Sequence, residues 1–164
     1  MQRNHITIEK VVVNCGVGRQ SGQPQFEEKI LPEIAKDIAA ITGQKPQVRG
    51  SKKSIAGFKL RMGQTVGLKT TLRGKRAEDF VKRLVTSALP RVRDFRGLPM
   101  SNVDRDGNLT LGIREHIVFP EINPEHMKVN FGLEITIVPS LRDRDRALEF
   151  YKVLGIPLQW QKHR

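Results

Sequence analysis

Between Thr65 and Arg73 two kinds of side chain alternate: Val66, Leu68, Thr70 and Leu72 fall on one side, Thr65, Gly67, Lys69, Thr71 and Arg73 on the other. A period of two is the signature of a strand, and here one face is apolar while the other is cationic. Such a strand needs a sheet covered on one side and open on the other. No other segment limits the fold as strongly.

The remaining elements fit that sheet. Ile6 to Val13, rich in β-branched residues, reads as a first strand stopped by a turn at Asn14-Cys15-Gly16. Ile30, Leu31, Ile34, Ile38 and Ile41 recur at helical spacing, and Gly43 with Pro46 supplies the stop. Pro32 would remove an interior donor, so the helix is expected to begin near Leu31. A short extended run from Pro46 to Lys53 leads into Ser54 to Gly63, which mixes glycines, cations and Phe58 without a period and predicts a long hairpin tip, centred on 54–61. Ala77, Phe80, Val81, Leu84, Val85 and Ala88 form an amphipathic helix that stops near Pro90, with Arg91, Arg93 and Arg96 in the loop beyond. Asn108 to Phe119 and Lys128 to Val138 read as two further strands, the second with Val129, Phe131, Leu133, Ile135 and Ile137 on one face. Arg142 to Asp145 alternates in sign, a solvated helix start, and Ala147, Leu148, Tyr151 and Leu154 continue into a closing helix that Gly155 and Pro157 end. Because the last two strands are neighbours with a short connection, the expected class is α+β: a mostly antiparallel sheet with helices on one face, one domain over residues 1–164.

Charge is distributed very unevenly over this frame. Lys45 to Arg96 holds fifteen of the 29 Lys and Arg residues but only three of the 17 acidic ones, Glu78, Asp79 and Asp94, which leaves fourteen of each sign elsewhere. The whole formal charge of +12 therefore arises in one contiguous third. A field of one sign attracts a polyanion at long range and holds it by releasing condensed counterions. A merely solvated basic face is the bland alternative, but like charges at this density repel and need compensation. Cations with few aromatics suit phosphate and shape contacts on folded RNA better than stacking along a single strand, and Phe58 and Phe95 are the residues placed to stack.

Other chemistries find little support. Gly16-Val17-Gly18 sits where a dinucleotide fingerprint would, but the third glycine is one residue late, at Gly22, and no acidic residue follows for a ribose. Gly74-Lys75 lacks P-loop spacing, and Arg76 stands where the hydroxyl should be. His5, His116, His126 and His163 are scattered, and with the single Cys15 they give no zinc spacing and no internal disulfide. Glu115 and His116, adjacent on an expected strand, would point to opposite faces. No metal, cofactor or catalytic residue is expected. A lone cysteine, no apolar secretion core at the N-terminus and no apolar run of about 18 residues predict a soluble cytosolic or organellar protein without a membrane partner.

Six runs, taken in order, carry a resemblance: Lys10–Gly18 (KVVVNCGVG), Thr42–Pro46 (TGQKP), Lys53–Arg61 (KSIAGFKLR), Thr70–Gly74 (TTLRG), Pro90–Leu98 (PRVRDFRGL) and Gly112–Ile122 (GIREHIVFPEI). Together they resemble the L-five family of large-subunit ribosomal proteins, universal binders of 5S rRNA in the central protuberance. The resemblance implies no enzymatic activity. It implies contacts with 5S rRNA, large-subunit rRNA, peptidyl-site tRNA, neighbouring large-subunit proteins and a head protein of the small subunit, in a cytoplasmic or organellar ribosome. The family's RNA-reading positions match Asn14, Gln44 and Thr71, all neutral hydrogen-bonding residues, and Lys45, Arg49, Lys69 and Arg73 flank them as candidates for phosphate contacts. The tip matches the family's tRNA-contacting loop, with Ser54, Ala56, Gly57, Phe58, Lys59 and Arg61 as the contacting set; Lys59 and Arg61 would reach phosphates while the glycine lets the tip adapt. The bacterial pattern places a helical segment before the first strand, whereas this sequence starts close to it; the core runs nevertheless look bacterial. Trp160–Arg164 is unfamiliar beyond being a basic tail. The competing reading from another class is an RNA-modifying or nucleotide-using enzyme with a basic binding surface, which would need a deep pocket joining Gly16, Gly18 and a carboxylate.

Overall fold

The alternating segments become strands β1 (Ile8–Gly16), β2 (Gln47–Gly50), β3 (Thr65–Leu72), β4 (Leu98–Pro99), β5 (Leu109–Ile113), β6 (Leu133–Pro139) and β7 (Leu158–Gln159). The periodic segments become helices α1 (Leu31–Thr42), α2 (Lys75–Arg83) and α3 (Arg144–Val153). These come from a computed structural model that describes residues 5–159; the tail Trp160–Arg164, with His163, lies outside the described residues. Five strands form one antiparallel sheet in the order β2-β3-β1-β6-β5, and β4 pairs with β7 in a short parallel ribbon.

Pairing aligns the apolar positions of neighbouring strands. Val11 lies between Leu72 and Ile137, Val13 between Thr70 and Ile135, and Ile137 faces Leu109. This layer meets Ile34, Ile38 and Ile41 of α1, Ala77, Phe80 and Val81 of α2, and Ala147, Leu148 and Tyr151 of α3 in one buried core. Each fully buried large side chain there contributes about 1.5–3 kcal/mol relative to leaving it exposed. The Tyr151 hydroxyl is satisfied within that core by the carbonyls of Gly107 (2.6 Å) and Ile137 (3.2 Å). Helix α1 takes up its α-helical pattern at Leu31, with Pro32 in its first turn, and it ends where Gly43 adopts φ 73°, a conformation that a Cβ would strain. Asp143 caps α3 by accepting from the Arg146 amide, and Arg144, half-buried beside the exposed Arg142, Asp143 and Asp145, donates to the carbonyls of Met100 and Val103 (3.1 Å each).

Four expectations need correction. Strand β1 does not stop before Asn14; it runs through Gly16, because Cys15 behaves as an apolar residue and continues the buried series Val11, Val13, Cys15. The strand expected over 108–119 ends at Ile113, and its partner begins only at Leu133. Between them the chain leaves the ladder to bury His116, whose ring stacks on Phe131 at 3.8 Å, whose amide donates to the Phe131 carbonyl (3.1 Å) and whose Nε2 lies 3.2 Å from Asp37 Oδ2 on α1. The connection is therefore long, with 3-10 turns at His116–Val118 and Pro124–His126, and Glu115 and His116 are not strand neighbours at all. Finally, α1 is preceded by a π-helical turn, Phe26–Ile30, and α2 continues through a second, Leu84–Ala88, into a 3-10 turn at Leu89–Arg91, so Pro90 falls within the last turn rather than after it.

Candidate nucleic-acid interface

Helices occupy one side of the sheet, so the side chains of opposite parity form an open face. Strand register places Gln47, Lys69, Asn14, Glu134 and Gly112 in a row across all five strands. A second row holds Thr71, Val12, Thr136 and Thr110, and a third holds Arg49, Gly67 and Gly16. Four of the expected RNA-contacting residues, Asn14, Arg49, Lys69 and Thr71, thus share one surface fixed by backbone hydrogen bonds. The side chains of Asn14, Lys69 and Thr71 make no hydrogen bond or ion pair among the described residues, so their polar groups are available to a ligand.

Gln44 joins them from the side. Its Nε2 donates to the Thr71 carbonyl at 3.1 Å, and its Oε1 accepts from Arg76 at 3.4 Å. Half of its amide valence is therefore spent on holding the end of β3 and the start of α2 together, and one N–H remains for a ligand. Lys45 and Arg73 are exposed beside it. Sequence reasoning missed Lys10, Gln47, Thr110, Glu134 and Thr136, which lie on the same face. For Thr110, Glu134 and Thr136 the signal was present, since each has the parity opposite to the buried residues of its own strand. Strand β2 has no buried residue to set a parity for Gln47, and buried Ile8 shares the parity of Lys10 across a register shift.

The tip is a separate structure. Ser51 and Gln64 close its base, with Ser51 N–H donating to the Gln64 carbonyl and Gly63 N–H to the Ser51 carbonyl, each at 2.8 Å. Ile55 and Leu60 form an isolated bridge around a 3-10 turn at Ala56–Phe58. Ser54, Ala56, Gly57, Lys59 and Arg61 are exposed around this turn, and the Ser54 hydroxyl accepts from the Met62 amide at 3.0 Å. The left-handed residue is Lys59 (φ 52°), not Gly57, so the glycine's backbone freedom is not used in this conformation. Ile55 and Met62 project as exposed apolar side chains. Phe95, the other candidate for stacking, instead packs against the core.

Electrostatics separates the basic stretch from the rest. Of its fifteen cations, Arg83 alone has a carboxylate partner among the described residues, Glu121, and its guanidinium also donates to the Ile41 carbonyl at 3.1 Å. The others have no carboxylate partner among the described residues. The groups with displaced proton affinity lie elsewhere. Burial pushes the Cys15 thiol up to about 12, which keeps it protonated and inert in the core. Burial also acts upward on Asp104, but hydrogen bonds from Asn108 and from the amides of Asp106 and Gly107 outweigh it and hold that carboxyl below its usual range. Neither belongs to a cleft. The depression that contains Gly16 and a carboxylate, Glu134, lies open along the sheet and does not include Gly18. Among the described residues no group of three His, Cys, Asp or Glu gathers as metal ligands, and no helix is long and apolar enough to cross a membrane.

A sheet covered by helices on one side and presenting amides, hydroxyls and cations on the other defines an α+β protein with a broad, open polar face. Residues 2–61 match the family model described as Ribosomal protein L5, and residues 65–158 match the model of the C-terminus of that ribosomal protein family. The large ribosomal subunit protein uL5 of Halothermothrix orenii is 47% identical over 150 residues, which cover 92% of this chain and 82% of that protein. Those of Rubrobacter xylanophilus and Anaeromyxobacter sp. strain K are each 46% identical, over 153 and 152 residues, covering 93% of this chain and 83% and 82% of theirs. The chain belongs to the ribosomal protein L5 family, a structural, non-enzymatic component of the large ribosomal subunit in the cytoplasm.

Proposed function

We propose that the open sheet face holds 5S rRNA and that the hairpin tip reaches the tRNA in the peptidyl site. In the assembled particle the protein would also touch large-subunit rRNA and a head protein of the small subunit. The observation that carries the first part is the pairing of uncompensated cations with an open polar face. A bound polyanion relieves the repulsion among those cations. Arg49, Lys69, Lys45 and Arg73 are placed to contact phosphates and to set the register of the RNA, while Asn14, Thr71 and the remaining N–H of Gln44 offer hydrogen bonds to base edges and riboses. The tip's separate closure and its exposed Lys59 and Arg61 support a second, independent contact.

Filter binding over a salt series tests this directly. The chain should bind 5S rRNA more tightly than a scrambled RNA of equal length in physiological salt, and the affinity should weaken steeply as salt rises. Equal binding of the two RNAs would refute specific 5S recognition while leaving a general affinity for polyanions.

A further inference from the structure

The third and first rows of the open face meet in a shallow depression lined by Asn14, Gly16, Thr110, Gly112, Arg114 and Glu134, with Gly132 at its edge. Its floor carries almost no side chain: a Cβ built at Gly16 or Gly112 would meet nothing within 4 Å. At Gly132, by contrast, a Cβ would lie 3.0 Å from the Ile113 carbonyl oxygen, a tight contact between backbones that a larger residue would have to push apart. The result is an open depression over nearly bare sheet backbone.

One wall of this space is unexpected. Glu134 is an exposed carboxylate on the face proposed to receive a polyanion, directly opposite Asn14 in the β1–β6 register. It makes no ion pair or hydrogen bond among the described residues. Lys69 is two strands away, across Asn14. A carboxylate that met only phosphates would oppose binding, so its presence there needs a partner that donates hydrogen bonds.

We infer that Asn14 and Glu134 form a guanine-reading subsite of the open face. This rests on the reading of that face as the RNA surface. Directly opposed residues of an antiparallel pair hold their Cβ atoms about 4.5–5.5 Å apart, so an amide and a carboxylate project side by side. The Watson–Crick edge of an unpaired guanine presents O6, N1–H and the N2 amino group in a line. The Asn14 amide donates to O6, and the Glu134 carboxylate accepts from N1–H and N2–H. Adenine offers one amino donor and places the N1 lone pair against the carboxylate, which rejects it. The bare glycine floor lets the base lie flat on the sheet, and Arg114 stands at the rim for the attached phosphate.

The sign of a single substitution discriminates. Glu134→Gln removes one charge from a polyanion-facing surface, so a solvated carboxylate with no role predicts tighter binding. A guanine acceptor predicts binding about tenfold weaker. The experiment pairs 5S rRNA affinity with probing by a dicarbonyl reagent that adds across guanine N1 and N2, at saturating protein. A guanine shielded by the wild-type chain should regain reactivity with Glu134→Gln while the other protections persist. Gly112→Thr, which fills the floor in a position where a Cβ clashes with nothing, should expose the same guanine without lowering the melting temperature. Unchanged reactivity at every guanine, including the case in which the carboxylate accepts only from a ribose hydroxyl, would overturn the inference, as would tighter binding by Glu134→Gln. Failure of the wild-type chain to distinguish 5S from scrambled RNA would instead remove the reading beneath it.

Discussion

The open sheet face and the hairpin tip carry charge of the same sign on very different supports. On the sheet, Lys69, Asn14 and Thr71 are held in register by two flanking strands and backed by Val13, Cys15, Leu68 and Ile135, none more than 1% exposed. The tip has an isolated bridge, a closed base and exposed residues that include Ser54, Ala56, Gly57, Lys59 and Arg61. Rigid, unpaired amides and hydroxyls suit recognition, in which a misplaced donor costs a hydrogen bond. A lightly supported cationic turn suits contact with phosphates whose position varies as the ligand moves. On the proposed reading, the difference separates selectivity on the sheet from attraction at the tip.

That contrast can be broken from beneath. Ile135→Ala removes a fully buried side chain from under the sheet, and urea unfolding should register a loss of about 2–5 kcal/mol, a sheet effect that a substitution at the exposed tip cannot reproduce. On the surface itself, Asn14→Ala should weaken 5S binding by about 1–3 kcal/mol at constant salt slope, since it deletes a directed hydrogen bond and no charge. Lys69→Ala, its neighbour in the register, should weaken all RNAs alike and lower the salt slope by about one. Interchange of those two signatures would erase the division between reading and positioning. Smallest on 5S is the tip: replacing Lys59 and Arg61 together should leave 5S affinity nearly unchanged, yet weaken tRNA retention in reconstituted ribosomes. Equal losses in both assays would merge the two surfaces into one.

Much of this is legible in the residues. The strand at 65–72, the late start of α1 at Leu31 and the closing helix follow from periodicity and from where Pro and Gly can sit. The candidates Asn14, Lys69 and Thr71 come together because their parities agree once β1 and β3 pair. What misleads is local pattern overruled by tertiary contact. Residues 114–119 and 128–132 have strand-like alternation, but burying His116 between Phe131 and Asp37 takes them out of the ladder. Strands β4 and β7 are two residues each, too short to leave a period. Glu134 escapes a reading centred on positive charge, because the importance of a lone carboxylate depends on its cross-strand neighbour. Gln44 reads as a free amide in the sequence, although two of its bonds are made within the chain.

The side of the sheet that meets RNA can be measured without substituting any cation of the basic stretch. Cys15 is buried and protonated, so an iron chelate attached through a new cysteine reports from one place only. From Thr110→Cys, at the margin of the open face, hydroxyl radicals should cut bound 5S rRNA at a few localised positions; from Glu149→Cys, exposed on α3 across the core, they should cut it weakly or not at all. Strong localised cutting from Glu149→Cys with none from Thr110→Cys would place the RNA on the helical side and contradict the open-face interface.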